Sequence, residues 1–285
     1  MNDTLFIEPK ALIEKLDKTN LKILDATFYL PDSGLIAEDE YQKEHISNSI
    51  FFDINKIADP DNTLPHMIPS KDLFSKMMQN LGLNNDDEIV IYDNSPFLSS
   101  ARAWFLFRYF GQEKVSIMQG GLDNWKKCGG TVSNKVNNLK LGNYTANKER
   151  KELVVNLDQM IKVSKDKDNV ILDARSKKRF FGEAKEPRPN LPSGHIPNSQ
   201  SLPSSDLIDE RGYLRSLDEI NQIFEKINVC TNGKIIATCG SGVSACVIAI
   251  ALYCLGKTDT PVYDGSWTEW ASTGQEVATK QTLND

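Results

Sequence analysis

One cysteine stands where the sequence could make it a nucleophile. Cys239 closes the apolar run KIIAT, is followed by GSGVSA, and the next residues, CVIAIALYCLG, have a helical pattern. We predict that Cys239 ends a strand and that a turn leads to a helix beginning near Ser244. The turn comprises Gly240, Ser241, Gly242 and Val243. Its two glycines allow several N–H groups to point at one atom near the positive end of the helix, which favours a thiolate.

The alternative is that Cys239 is a small buried residue, since free cysteines are commonly found in protein cores. The turn does not resemble a nucleotide site, because CGSGVSA lacks both G-x-G-x-x-G and the lysine of a P-loop. Cys246 and Cys254 lie within the helical run, where we expect them to pack. Cys128 and Cys230 stand beside turn residues and carry no predicted chemistry. Five cysteines without a C-x-x-C favour reduced thiols over disulfides or zinc ligands.

The elements that must position Cys239 belong to an internal sequence repeat. Four motifs of the first half recur in the second half, in the same order and at a nearly constant separation: ILDAT as ILDAR, EHISNS as GHIPNS, IVIYD as IIATC, and GGLDNW as GSWTEW. Each copy alternates short β-branched runs with helical patterns, which is typical of a mostly parallel α/β sheet flanked by helices. Ser216 and Glu219 have the spacing of a capping box before one of these helices.

We predict an N-terminal domain at 1–130, a linker at 131–152 and a C-terminal catalytic domain at 153–285. The linker is polar, rich in Asn and Lys, and has no sustained apolar period. Asp93 occupies the place of Cys239 in the first copy, so we expect the first domain to have no nucleophile there.

Composition limits the classes of partner. The 285 residues are 40% hydrophobic and 25% charged, with a net charge of -6. The negative charge argues against a nucleic-acid or anionic-membrane partner, since both are bound through basic patches. The chain has neither a basic start followed by an apolar run nor a stretch of about 20 apolar residues. We expect a cytoplasmic protein with a small-molecule substrate, of unknown oligomeric state.

The motifs together resemble the tandem rhodanese-like sulfurtransferases over nearly the whole chain. In the first half these are HISNS, FFDIN, PHMIP, ARAWFLFRYFG and GGLDNW; in the second, DARSKKRFFGEAKEPRPNLPSGHIPNS, CGSGVSA and YDGSWTEW. The resemblance implies two rhodanese-like domains, a persulfide on Cys239, and no metal or organic cofactor. It also implies a sulfur donor and an acceptor, which is a thiol such as reduced thioredoxin, or cyanide.

The loop residues indicate which donor. Thiosulfate-using members of the family have an active loop rich in Arg and Lys, whereas C-G-S-G-V resembles the members that use 3-mercaptopyruvate. Thiosulfate carries two charges beside the transferred sulfur, and Gly240 and Ser241 provide no cation for them. Thiosulfate:cyanide transfer and a non-catalytic thiol sensor or sulfur carrier remain alternatives. A cysteine phosphatase needs an Arg six positions after the cysteine, where this chain has Ala245.

The resemblance also assigns residue roles. Arg179 and Arg188 match the substrate arginines, and a guanidinium suits a carboxylate well. Ser241 matches a hydroxyl that assists proton movement, and His66 matches its relay partner. In the family a carboxylate can stand eleven residues before this histidine, but the chain has Asn55 there, which cannot hold a negative charge. The resemblance further places the donor against the loop residues Gly240, Gly242, Val243 and Ser244.

Overall fold

The computed structural model describes residues 5–231 and 233–279. Over those residues the chain forms two compact units. Unit 1 comprises 5–61, 68–150 and 211–213, and unit 2 comprises 62–67, 151–210 and 214–279. Two short segments are therefore grouped with the unit formed mainly by the other half of the chain: 62–67, which includes His66, and 211–213.

Unit 1 contains a five-stranded sheet in which all paired neighbours are parallel, in the order β1-β6-β5-β2-β4. Its strands are β1 (Phe6–Ile7), β2 (Leu21–Asp25), β4 (Ile50–Phe51), β5 (Glu88–Tyr92) and β6 (Val115–Met118). A separate antiparallel pair is formed by β3 (His45–Ile46) and β7 (Val132–Ser133). The helices are α1 (Pro9–Ile13), α2 (Ala37–Lys43), α3 (Lys71–Asn80), α4 (Ser100–Tyr109) and α5 (Gly121–Lys127).

Unit 2 repeats this sheet, in the order β8-β12-β11-β9-β10 and again with parallel neighbours. The strands are β8 (Val154–Val155), β9 (Asn169–Asp173), β10 (Ser199–Ser201), β11 (Lys234–Thr238) and β12 (Val262–Tyr263). The helices are α6 (Leu157–Val163), α7 (Lys177–Phe180), α8 (Leu217–Lys226), α9 (Ala245–Cys254) and α10 (Ser266–Ser272), with 3-10 turns at Lys151–Leu153 and Ser204–Leu207. Matching strand orders confirm that the chain is a duplication.

The sequence patterns explain these elements. Helix α8 begins at the predicted capping box, in which Ser216 accepts from Glu219 N–H and the Glu219 carboxylate accepts from Ser216 N–H. Its buried residues Ile220 and Phe224 are four apart, so they lie on one face. In β11 four consecutive residues after Lys234 are buried, as expected for a strand in the middle of a parallel sheet.

The segment 131–152, assigned to the linker from its composition, makes specific contacts with unit 1. Val132 pairs with Ile46 across the two-stranded sheet. Tyr144 is 1% exposed, and its ring meets that of Phe74 edge to face. Residues up to Arg150 consequently group with unit 1.

None of the helices in the described part of the chain is long and apolar enough to cross a membrane.

Candidate active site

Cys239 lies directly after β11, at the carboxyl end of the sheet of unit 2, where sites in parallel sheets commonly form. The turn that follows leads into α9, whose N-cap is Ser244, and Gly242 adopts a φ of 75°, which suits glycine. The predicted strand, turn and helix are therefore confirmed. Cys239 is 1% exposed, so its sulfur is held within the protein.

The turn leaves several backbone donors unused. Within 5–231 and 233–279, no hydrogen bond uses the N–H groups of Gly240, Ser241, Val243 or Ser244. Buried N–H groups are nearly always paired, and the N-terminal turn of α9 adds its own positive end. The surroundings of Cys239 therefore suit an anion.

Two residues of α10 fix the carbonyl groups of the turn. Trp267 donates its N–H to the carbonyl oxygen of Cys239 at 2.9 Å. Thr268 donates both its N–H, at 3.0 Å, and its hydroxyl, at 2.7 Å, to the carbonyl oxygen of Gly240. Because these carbonyl groups are engaged by α10, the turn holds a defined shape without a side chain at position 240.

The buried hydroxyl of Ser266 also contacts the turn after Cys239. Its Oγ accepts hydrogen bonds from the N–H groups of Cys239 (3.2 Å) and Gly242 (3.0 Å) and donates to the carbonyl oxygen of Tyr263 at 2.7 Å. The same Oγ lies 3.9 Å from Sγ of Cys239. The residue is fully buried and has a φ of 51°.

The two predicted substrate arginines come together beside the loop. A Cβ atom built on Gly240 would lie 3.2 Å from Nη2 of Arg179 and 3.6 Å from Nη1 of Arg188. Arg188 donates through Nη2 to Oγ of Ser241 at 3.1 Å. Burial lowers the pKa of the Arg188 guanidinium from its ordinary value, and a thiolate at Cys239 opposes that shift. Arg188 therefore contacts the turn that begins at Cys239.

Arg179 is held by a carboxylate that the sequence analysis did not single out. Glu186 accepts from Nη2 of Arg179 at 2.5 Å and from Nε at 3.2 Å. Glu186 also accepts from Nη1 of Arg175 at 2.9 Å, and Arg175 is paired in turn with Asp173 at 2.6 Å. The guanidinium of Arg175 lies 4.4 Å from the ring centroid of Trp267, within cation–π range.

His66 meets Ser241 within unit 2. Nδ1 of His66 lies 2.8 Å from Oγ of Ser241, and His66 is 5% exposed with a φ of 63°. A guanidinium only donates, so Ser241 Oγ accepts from Arg188, and the His66 tautomer sets which of Ser241 Oγ and His66 Nδ1 donates to the other. Positive φ is uncommon outside glycine, which indicates that the surroundings impose this conformation.

Asn55, the predicted neighbour of His66, belongs to unit 1. It is exposed, and its N–H donates to Oδ1 of Asp53 at 3.0 Å. Within unit 2 the structure brings Arg179, Arg188, Ser241 and His66 together at the turn after Cys239, and Asn55 as a neighbour of His66 stays a prediction.

Cys246, Cys254, His45 and His195 have structural surroundings, whereas Cys128 is half-buried and Cys230 exposed. Cys246 and Cys254 lie in α9; Cys246 is fully buried, and burial raises the pKa of the Cys254 thiol to about 11. His45 and His195 are stacked on Tyr41 and Phe180, respectively, and each ring bonds to the carbonyl of its stacking partner. In the described part of the chain no cluster of His, Cys, Asp or Glu could hold a metal ion.

Sequence reasoning missed Ser266 and Glu186. Ser266 stands in GSWTEW at the place of Gly121 in GGLDNW, so the exchange of a glycine for a hydroxyl was visible in the repeat. Glu186 stands two residues before Arg188 in EPR. Its role depends on contacts with side chains on other elements, which spacing alone does not reveal.

Comparison with known proteins identifies the family. The model of the Rhodanese-like domain matches residues 8–128 and 156–273. The Escherichia coli (strain K12) protein named 3-mercaptopyruvate sulfurtransferase is 36% identical, over 95% of this chain and 96% of its own. The Arabidopsis thaliana protein named thiosulfate/3-mercaptopyruvate sulfurtransferase 2 is 40% identical, over 92% of this chain and 82% of its own.

A solved structure agrees with this result. SseA from Escherichia coli, described as a 3-mercaptopyruvate sulfotransferase with the rhodanese fold, superposes with a TM-score of 0.84 at 35% identity, covering 93% of this chain and 99% of its own. The predicted fold class, two tandem rhodanese-like domains each with a mostly parallel sheet flanked by helices, is confirmed. The chain belongs to the rhodanese family and carries two Rhodanese-like domains.

Proposed function

We propose that the chain is a sulfurtransferase in which Cys239 takes sulfur from 3-mercaptopyruvate, carries it as a persulfide and passes it to a thiol. The observation that carries this proposal is the unused set of N–H groups in the turn after Cys239, beside the guanidinium of Arg188. Backbone donors and a nearby cation stabilise an anionic sulfur without a metal. The names of two relatives point to the same reaction.

The donor is inferred from the placement of charge. One relative is named for 3-mercaptopyruvate alone and another also for thiosulfate, so the names do not separate the two donors. Within the turn itself no residue from 240 to 244 is basic. The cations stand on α7 and on the segment after it, where they suit a carboxylate several atoms away from the transferred sulfur.

In the first half-reaction the Cys239 thiolate attacks the sulfur of 3-mercaptopyruvate. The new S–S bond forms as the C–S bond breaks, and the bonding pair leaves on carbon as the enolate of pyruvate. Arg188 and the free edge of Arg179 hold the carboxylate and the ketone oxygen, which orients the sulfur toward Cys239 and stabilises the enolate.

A proton must then reach the enolate carbon. The donor's thiol proton is released as the persulfide ionises, so one proton moves from sulfur to carbon and none is gained or lost overall. The hydroxyl of Ser241 and the imidazole of His66, 2.8 Å apart, form a relay for that transfer. The products are pyruvate and the persulfide anion on Cys239.

In the second half-reaction an acceptor thiol attacks the outer sulfur. The S–S bond breaks, Cys239 recovers its thiolate, and the acceptor leaves with the sulfur. A dithiol such as reduced thioredoxin releases it as sulfide while forming its own disulfide, and cyanide leaves as thiocyanate. Two half-reactions predict ping-pong kinetics. The cytoplasmic location expected from the sequence stays a prediction.

The test compares donors on the purified chain. We expect turnover of 3-mercaptopyruvate with a thiol acceptor to release pyruvate, with kcat/KM at least about tenfold above that for thiosulfate because the turn provides no cation for a second charge. Parallel lines in double-reciprocal plots check the ping-pong order. A clear preference for thiosulfate would overturn the choice of donor, and the absence of turnover with either donor would overturn the reaction.

A further inference from the structure

The charged groups beside Cys239 form a chain of ion pairs that ends on one unpaired cation. Asp173 binds Arg175, Glu186 binds both Arg175 and Arg179, and these two carboxylates balance these two guanidiniums. Across the described part of the chain, Arg188 forms no ion pair with a carboxylate, and it donates to the hydroxyl of Ser241 at 3.1 Å. The network therefore leaves a single positive charge next to the sulfur.

We infer that Glu186 is a specificity-determining residue, which restricts the donor to a monoanion by cancelling the charge of Arg179. This inference deepens the proposed function and rests on it. With Glu186 ionised, a thiolate on Cys239 already balances Arg188, so one carboxylate on the donor brings the site to a single negative charge. A dianion such as thiosulfate brings it to two.

The burial of Glu186 makes its charge effective. Its side chain is 2% exposed, compared with 0% for Arg175 and 12% for Arg179. Water and salt screen charges poorly at such positions, so each added charge acts at a low effective dielectric. A surface carboxylate on the same segment would have little effect, because solvent would screen it.

The geometry gives Glu186 a positioning role as well. Both of its oxygen atoms are engaged by guanidinium groups, one from Arg179 in α7 and one from Arg175 in the loop before α7, and Pro187 links it to Arg188. The pairs use Nε and Nη2 of Arg179, which leaves Nη1 for the donor. Loss of the carboxylate charge and loss of this placement must therefore be separated by experiment.

The experiment is Glu186→Gln in the full chain, assayed with 3-mercaptopyruvate and with thiosulfate. We expect kcat/KM for 3-mercaptopyruvate to fall because Arg179 loses a strong partner. For thiosulfate kcat/KM should hold or rise, so that the thiosulfate-to-mercaptopyruvate ratio increases by about tenfold. Equal losses with both donors would show a purely structural role and overturn the inference, as would a fall in the ratio.

Two further variants separate charge from shape. Glu183→Gln removes the same charge from an exposed position three residues away, and we expect the donor ratio to stay within about twofold of wild type. Glu186→Asp keeps the charge but shortens the side chain; we expect KM to rise for both donors and the ratio to remain near wild type. A ratio that shifts in Glu186→Asp as it does in Glu186→Gln would contradict a charge effect.

A measurement on the unaltered protein needs no variant to fold. Pyruvate is a monoanion and malonate a dianion of similar size, so both are tested as competitors of 3-mercaptopyruvate. Stronger inhibition by pyruvate is expected, and inhibition by malonate at equal or lower concentration would overturn the inference. Failure of wild-type turnover with 3-mercaptopyruvate would instead reject the proposed function, so the two failures are distinct.

Discussion

The two strand-to-helix turns of the duplicated sheet differ in where their anion comes from. In unit 1 the turn after β5 carries Asp93, whose carboxylate accepts from the N–H groups of Ser95 (2.9 Å) and Ser100 (3.0 Å). In unit 2 the corresponding position is Cys239, and its turn leaves N–H groups without an acceptor. The turn of unit 1 thus binds the carboxylate of its own Asp93, whereas the turn of unit 2 can bind an anion from outside the chain.

The neighbouring side chains reinforce this difference. In unit 1 the N–H of Asn94 donates to Oγ1 of Thr27, and that of Ser99 donates to Oγ of Ser95. Side-chain oxygens therefore satisfy the donors of the unit 1 turn. Unit 2 has glycine, serine and valine in its turn, and none of these residues supplies an anion of its own. Backbone N–H groups can bind an external anion only where no side chain of the turn already accepts from them.

A second difference concerns the residue that begins the helix packed on each turn. Gly121 and Ser266 both have positive φ, at 58° and 51°. A Cβ on Gly121 would lie 2.8 Å from Oδ1 of Asn94, so unit 1 requires glycine. Serine in this conformation costs about 1–2 kcal/mol. Unit 2 offsets that cost with three hydrogen bonds to the Ser266 hydroxyl.

The largest expected effect follows from replacing Cys239, the residue that distinguishes the turn of unit 2 from that of unit 1. Cys239→Ser should lower turnover by more than about a thousandfold while leaving the fold intact, because a hydroxyl neither forms a persulfide nor ionises at neutral pH. Asp93→Asn is the matched change in unit 1 and should leave kcat/KM within about twofold of wild type. Steady-state assays and thermal melts on both variants provide the measurement; near-normal activity in Cys239→Ser would defeat the assignment.

The next effect concerns the unpaired cation that unit 2 places beside its turn. Arg188→Gln should raise KM for 3-mercaptopyruvate by about a hundredfold, since a charge-assisted bond to the donor's carboxylate is lost. Lys185→Gln removes an exposed charge from the same segment and should leave KM unchanged. Initial-rate kinetics decide the matter, and equal KM values in both variants would exclude Arg188 as the donor's anchor.

A smaller effect makes unit 2 resemble unit 1 at the helix start. Ser266→Gly relieves the strained φ but leaves the N–H groups of Cys239 and Gly242 without their acceptor, so we expect kcat to fall by about tenfold. Activity of the glycine variant at or above the wild-type level would show that the hydroxyl is dispensable.

The smallest effect concerns the last residue of two matching strands, Asp25 in β2 of unit 1 and Asp173 in β9 of unit 2. Asp173 is paired with Arg175, whereas burial raises the pKa of Asp25 above its ordinary 3.8. As the pH rises, the unfolded chain therefore loses the Asp25 proton at a lower pH than the folded chain does. The stability that the protonated Asp25 carboxyl contributes is lost as the pH rises through the folded pKa.

Asp25→Asn removes that loss. We expect the free energy of unfolding at pH 7 to rise on the order of 1 kcal/mol, with no gain below pH 3.8, where the native carboxyl is also protonated. Urea unfolding at both pH values checks this, with Asp39→Asn on the exposed face of α2 as the control. A less stable Asp25→Asn variant at pH 7 would contradict the account.

Local signals account for what the sequence predicted well. The β-branched run before Cys239, the two glycines and the apolar helix after it are neighbours in sequence, so their geometry follows from propensity and periodicity. The capping box at Ser216 is local in the same way. The repeated motifs likewise predicted two similar domains, each with a mostly parallel sheet.

Long-range contacts account for the remainder. Ser241 meets His66 across 175 residues of sequence, and the segment 62–67 that holds His66 groups with unit 2 although the chain on both sides of it groups with unit 1. Glu186 reaches its two arginines through the folded turn between α7 and β10. The packing of 132–150 on unit 1 likewise depends on buried contacts of Tyr144 that composition does not reveal.

The most direct test of the central claim is mass spectrometry of the intact chain and its peptides after exposure to 3-mercaptopyruvate without an acceptor. We predict the gain of one sulfur atom, located on the peptide that contains Cys239 and removed by a thiol. Release of pyruvate with the added sulfur on Cys128, Cys230 or another cysteine, or with no sulfur retained, would contradict the account.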